Sequence, residues 1–181
     1  MEIMNLKEYY NSKVIPAMQE KFGIANRMAV PRIVKVVVHV GVSAQQKDTK
    51  VIEMMKDTLK LVTGQTPVER TAKKSISNFK IRKGQVVGFM VTLRGARMYD
   101  FLEKLIHLTL PRMRDFRGLQ GTSFDEHGNF SIGLRESMAF PEIKAGDLER
   151  QHGMEVTVAT NAHTREEGRA LLTLFGFPFK P

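Results

Sequence analysis

Apolar residues recur along this chain in two rhythms, and each predicts a kind of element. Leu6, Tyr9, Tyr10, Val14, Ile15, Met18 and Phe22 fall at helical spacing, so they predict a helix that Pro16 kinks or breaks and Gly23 ends. PRIVKVVVHVGV, Pro31 to Val42, is dense in β-branched residues and predicts a strand. Its apolar character is too continuous for a one-sided edge, which places it centrally in a sheet. From Thr49 to Val62 the residues Ile52, Met55, Leu59 and Val62 share one helical face, and Gly64 ends the segment ahead of Pro67. Two short strands follow, near Pro67 to Thr71 and Gln85 to Arg94, with a long loop between them. Gly95 to Thr109 is a helix with Met98, Phe101, Leu102, Leu105 and Ile106 inward and Pro111 closing it.

The texture then changes. Arg112 to Leu134 holds four glycines and the turn signal Glu126-His127-Gly128-Asn129 between short apolar pieces, which predicts loops and a hairpin. MEVTVAT, Met154 to Thr160, alternates as a strand does, and Thr164 to Glu167 is a capping box opening a last helix through Leu171, Leu172 and Phe175, stopped at Gly176. Helices alternate with strands, but hairpins join some of the strands. The predicted fold is therefore α+β: a largely antiparallel sheet with helices packed on one face and a long basic hairpin loop projecting. At 181 residues, with no internal repeat, one domain over residues 1–181 is expected.

Charge changes the picture. Lys and Arg number 28 against 19 Asp and Glu, for a net +9, an imbalance that folding does not require and a polyanionic partner explains. Its placement is uneven: Arg70, Lys73, Lys74, Lys80, Arg82, Lys83, Arg94 and Arg97 lie between residues 70 and 99 with no acidic residue among them. A solvated face that only maintains solubility usually interleaves the two signs, and this one does not. The chain has no cysteine, so neither a disulfide framework nor a thiolate metal site is expected. MEIMNLKEYY lacks the flank and apolar run of a secretory signal, and no stretch is long enough to span a membrane, so a cytoplasmic protein is expected.

Catalytic chemistry finds little support. His39, His107, His127, His152 and His163 show no metal-ligand spacing. Asp125-Glu126-His127 sits on a tight turn, where neighbours point apart, stay solvated and keep unshifted pKa values. The phosphate-loop, dinucleotide and nucleophile-elbow signatures are absent. Gly118-Leu119-Gln120-Gly121 matches the G-x-x-G of KH domains but leads toward a hairpin rather than a helix, and Phe89, alone on its strand, reads as core rather than as an RNA-stacking platform. No enzyme, cofactor, metal or small-molecule substrate is expected. What remains is the basic loop, where Lys73, Lys74, Lys80, Arg82 and Lys83 seek phosphates, Ser75, Ser77 and Asn78 add short polar groups, and Phe79 is expected to tuck beneath the loop. RNA recognised through shape and backbone suits it better than duplex DNA, and a membrane surface suits it less for want of an amphipathic helix.

GQTPVERTAKKSISNFKIRKGQVVGFMVTLRGARMYDFLEKLI resembles the centre of the large-subunit ribosomal protein L five family, bacterial type. RDFRGLQGTSFDEHGNFSIGLRE, FPEI and EEGRALLTLFGFPF resemble its later blocks in the same order, so the likeness runs from LKEYY to FPFK. The resemblance implies a structural, non-enzymatic protein that binds 5S rRNA in the central protuberance of the large subunit. It also implies contacts to 23S rRNA, the P-site tRNA elbow and a protein of the small-subunit head. By position, His39, Gln65, Thr92 and Arg94 match the rRNA-holding sheet face and its edge. Arg97, Arg114 and Arg117 fall among further rRNA contacts, the last two in a segment, Arg112 to Gly121, near the intersubunit bridge. Lys73 to Lys83 match the loop that reaches tRNA. His39, where the family commonly has Asn, and Met90, where it commonly has Lys, depart from the pattern. The alternative is a free-standing RNA-binding regulator.

Overall fold

The computed structural model describes residues 6–42, 49–114, 116–143 and 152–180. Part of the N-terminal reading above, residues 1–5, and Asp115 within the Arg112 to Gly121 segment lie outside the described residues.

Helix α1 covers residues 6–22 as Leu6–Tyr9, a wide π-type turn at Tyr10–Val14, and Ile15–Phe22. The chain stays helical through Pro16. A proline inside a helix removes one N–H and crowds the carbonyl four residues back, and a widened turn just before it relieves both problems. Here Ile15 N–H reaches the Tyr10 carbonyl, five residues back. The third helix repeats the device. It covers residues 96–112 as Ala96–Lys104, a π-type turn at Leu105–Thr109, and Leu110–Arg112. Pro111 therefore does not close it, contrary to the sequence expectation; Leu110 N–H reaches back to Leu105 and the helix runs on to Arg112.

The other elements are β1 (Ile33–Gly41), α2 (Thr49–Thr63), β2 (Val68–Thr71), β3 (Val86–Leu93), β4 (Phe130–Leu134), β5 (Met154–Thr160) and α4 (Arg165–Leu174), with residues 96–112 as α3. Among the described residues the strands form one five-stranded antiparallel sheet in the order β2-β3-β1-β5-β4. This is the expected α+β fold, with β1 in the centre. By contacts the chain divides into two compact units, the first being Met1–Val36, Leu93–Ile132 and Thr157–Pro181, the second Val37–Thr92 and Gly133–Val156.

In the first unit an aromatic cluster ties the helices together. The Tyr10 ring stacks on Phe175 at 5.7 Å and Tyr99 approaches the same ring at 6.4 Å. Tyr10 donates its hydroxyl to the Pro31 carbonyl at 3.1 Å, and burial pushes the Tyr10 and Tyr99 phenols above their ordinary pKa. The N-terminal cap of α4 forms in a variant of the expected capping box: Thr164 accepts from Glu167 N–H, and the Glu167 carboxylate accepts at 2.9 Å from the N–H of His163, one residue before the cap, rather than from Thr164 itself. The acidic turn differs from expectation in one respect. Slight burial works against ionisation of Asp125, but its carboxylate accepts from the Asn129 amide and from the backbone of Asn129 and His127, which together lower its pKa. Local side-chain bonds of this kind stabilise a turn, so the group is a structural clasp rather than a free acid.

In the second unit the strands sort their residues by face. Val38 and Val40 of β1, Phe89 and Val91 of β3, and Met154 and Val156 of β5 are buried, as are Met55, Leu59 and Val62 of α2. Each fully buried side chain of this size contributes about 1.5 to 3 kcal/mol. Phe89, 1 % exposed, is core as expected. Val37, His39, Met90 and Thr92, at the alternate positions, are only half-buried. Residues alternate across a strand, so this second face is the one the core does not consume.

Candidate RNA interface

The open face of the second unit is assembled from β1, β3 and the end of α2. Gly64 ends α2 with φ +66, and Gln65 next to it turns its amide toward the Thr92 carbonyl, 3.5 Å away. His39 lies over Gly88 of the neighbouring strand: a methyl group there would stand 2.9 Å from His39 Nε2 and 2.7 Å from the Val40 carbonyl oxygen. Only hydrogen fits at residue 88. The imidazole covers the glycine, a way sheets fill the gap left by a missing side chain. Thr92 presents its hydroxyl on this face while Val91 and Leu93, 1 % and 0 % exposed, point into the core.

Sequence reading missed Arg70 as a site residue. Strand β2 pairs antiparallel with β3, Val68 opposite Met90 and Arg70 opposite Gly88. The Arg70 guanidinium then lies 3.5 Å from the Met90 sulfur, so a cation stands beside the position where Met90 itself offers none. A thioether is a weak acceptor, which leaves the guanidinium able to meet a phosphate. Only the register between the two strands reveals this pairing.

The basic loop closes on itself. Ala72 N–H donates to the Gln85 carbonyl at 2.8 Å and Gly84 N–H to the Ala72 carbonyl at 2.9 Å, and Ile76 and Ile81 pair inside them at 2.9 and 3.1 Å. Ser77–Phe79 forms a single turn, ended by Lys80 at φ 51, the one positive φ outside glycine among the described residues. Ser75 accepts from Lys83 N–H at 2.9 Å and the Gln85 side chain accepts from Arg82 N–H at 3.2 Å. The backbone polar groups are thus largely satisfied internally, and the side chains of Lys73, Lys74, Ser77, Asn78, Lys80, Arg82 and Lys83 are exposed. None of the five loop cations has an ion-pair partner among the described residues, whereas Glu69, at the start of the run, is engaged by Lys56 at 3.1 Å. Phe79 does not tuck beneath the loop: it is 65 % exposed, and Ile76 is 46 % exposed. So small a hairpin has no interior to receive a phenyl ring.

The remaining expected residues belong to the first unit. Arg94 is exposed one position beyond β3, Arg97 is exposed in the first turn of α3, and Arg114 and Arg117 are exposed in the segment after α3. Among the described residues no three His, Asp or Glu side chains gather as a metal site, and no helix is long and apolar enough to cross a membrane.

Residues 26–82 match the family described as ribosomal protein L5, and residues 86–179 match the model of that ribosomal family's C-terminus. The chain belongs to the ribosomal protein L5 family. Its similarity to curated L5 relatives is high and spans nearly the whole length. It is 51 % identical over 175 residues to the large ribosomal subunit protein uL5 of Dictyoglomus thermophilum, covering 97 % of this chain and 98 % of that protein. It is 49 % identical over 180 residues to the protein of the same name from Thermosipho africanus, covering 99 % of each. The uL5 of Thermotoga maritima is 48 % identical over 179 residues, 99 % of this chain and 97 % of that one. The L5 family is one of structural ribosomal proteins rather than enzymes. That agrees with a surface whose distinguishing groups are exposed cations, hydroxyls and amides.

Proposed function

We propose that this protein is a structural component of the large ribosomal subunit in the cytoplasm that binds 5S rRNA and helps attach it in the central protuberance. His39, Gln65, Arg70 and Thr92 on the open sheet face fix the RNA backbone by hydrogen bonds to phosphates and ribose hydroxyls. The loop from Lys73 to Lys83 reaches the elbow of P-site tRNA. Arg94, Arg97, Arg114 and Arg117 meet further rRNA, including 23S rRNA, and the protein also contacts the small-subunit head. One observation carries the reading: a sheet face left uncovered by core packing continues into a loop of five unpaired cations, in a chain about half identical to proteins named for the large subunit. The alternative, a free-standing regulator, differs in stoichiometry. Quantifying the protein across a sucrose gradient of cell lysate tests the choice: near one copy per large subunit, co-sedimenting, supports the structural role. A substoichiometric amount, chiefly off the ribosome, contradicts it.

A further inference from the structure

The G-x-x-G segment, Gly118 to Gly121, lies in the first unit against the chain terminus: Leu119 N–H donates to the Pro178 carbonyl at 2.8 Å and Lys180 N–H donates to the Leu119 carbonyl at 2.9 Å. Cationic side chains lie against both glycines: a methyl group on Gly118 would crowd Lys180 Cγ at 3.1 Å and the Pro178 carbonyl oxygen at 3.2 Å, and one on Gly121 would meet the Arg169 guanidinium in ordinary contact at 3.6 Å. Arg165 donates to the Gly121 carbonyl at 2.7 Å, and Arg169 donates to the Lys180 carbonyl at 3.4 Å. Arg165 and Arg169 thus stand one turn apart on one face of α4, and Arg117 precedes the loop; all four cations are exposed. None has an ion-pair partner among the described residues. Glu167 is committed to His163 N–H and Asp125 to its own turn, and Glu166, three residues before Arg169, forms no ion pair with it.

Bracing the loop accounts for one N–H of each arginine and leaves the others free. It does not account for two arginines at a spacing where like charges repel, beside a lysine, none of them ion-paired among the described residues even though Glu166 lies three residues before Arg169. An anion does. We propose that Arg117, Arg165, Arg169 and Lys180 form a second RNA-backbone site around the Gly118–Gly121 loop. The exposed side chains of Gln120, Thr122 and Ser123 supply hydrogen bonds alongside. The partner is RNA rather than protein because the patch offers no exposed apolar anchor: Leu119 and Phe124 are buried, and the large exposed apolar residues lie elsewhere. The proposal rests on the ribosomal-RNA reading above and assigns it residues that the sheet face does not contain.

The test measures binding of the full chain to 5S RNA and to large-subunit ribosomal RNA stripped of 5S, over a salt series. For Arg169→Gln with Lys180→Gln we expect a melting temperature within a few degrees of wild type and 5S affinity within about two-fold. Affinity for the large RNA should fall about ten-fold, and its log-log salt slope by about 1.5, the loss expected for two phosphate contacts. The charge-keeping pair Arg169→Lys with Lys180→Arg should retain the slope. If wild type binds both RNAs and the neutral double variant is unchanged on the large RNA, this site is overturned while the 5S reading stands. Unchanged RNA binding with loss of cross-links to small-subunit proteins would make the patch a protein surface and equally overturn it. If wild type binds neither RNA, the ribosomal reading falls and this proposal with it.

Discussion

At Thr92 and Val91 two neighbouring residues divide the work of a strand. Val91 is 1 % exposed and contributes to the core; Thr92 keeps a hydroxyl on the open face. Thr92→Val preserves shape and β-branching, so the melting temperature should hold or rise slightly while 5S RNA affinity weakens by about 1 kcal/mol, the worth of one hydrogen bond. Val91→Thr should do the reverse, costing about 1 to 3 kcal/mol of stability for a buried hydroxyl and sparing the RNA surface. Melting curves and filter binding on both variants read this out, and the opposite pairing of effects would put the RNA on the other face. The period of two made these assignments legible in the sequence, because burial in a strand depends only on parity. The pairing of Arg70 with Met90, and the cover of Gly88 by His39, were not legible. They depend on the registers of β2 and β1 against β3, which no local pattern states.

Among the elements, the long helices and the strands β1, β3 and β5 were legible from periodicity, since each has a buried face, whereas β2 is exposed throughout and β4 lay within the stretch read as loops and a hairpin. The prolines were not legible. Both Pro16 and Pro111 look like helix breakers, yet each follows a π-type turn that removes the steric conflict, and the apolar faces of α1 and α3 continue past them because packing outweighs a lost backbone bond. The hairpin loop carries the opposite lesson: its charge was plain, but the outward Phe79 was not, since apolar residues are usually buried and only the smallness of the loop prevents it. The loop's cations take no part in its internal bonding through their side chains. Lys73→Ala with Lys74→Ala should therefore change stability by no more than about half a kcal/mol. It should also leave 5S binding nearly intact and shorten retention of P-site tRNA on reconstituted ribosomes. Failure to fold, or complete loss of 5S binding, would show that the loop and the sheet face are not separable.

For the molecule as a whole, charge was the most readable feature and topology the least. The net +9 and its concentration between residues 70 and 99 point to a polyanion, whereas the order β2-β3-β1-β5-β4 joins β1 to a strand more than a hundred residues later. The continuous apolar run of β1 revealed its central place but not its neighbours. The central claim is that exposed, unpaired cations flanking an open sheet face bind a ribosomal RNA backbone, and binding of this kind releases condensed counterions. Its most direct test is the affinity of the purified protein for 5S RNA over a series of salt concentrations. With about five cations engaged, log affinity should fall against log salt with a slope of about 3.5 to 4.5 in magnitude; a slope near one would contradict the account.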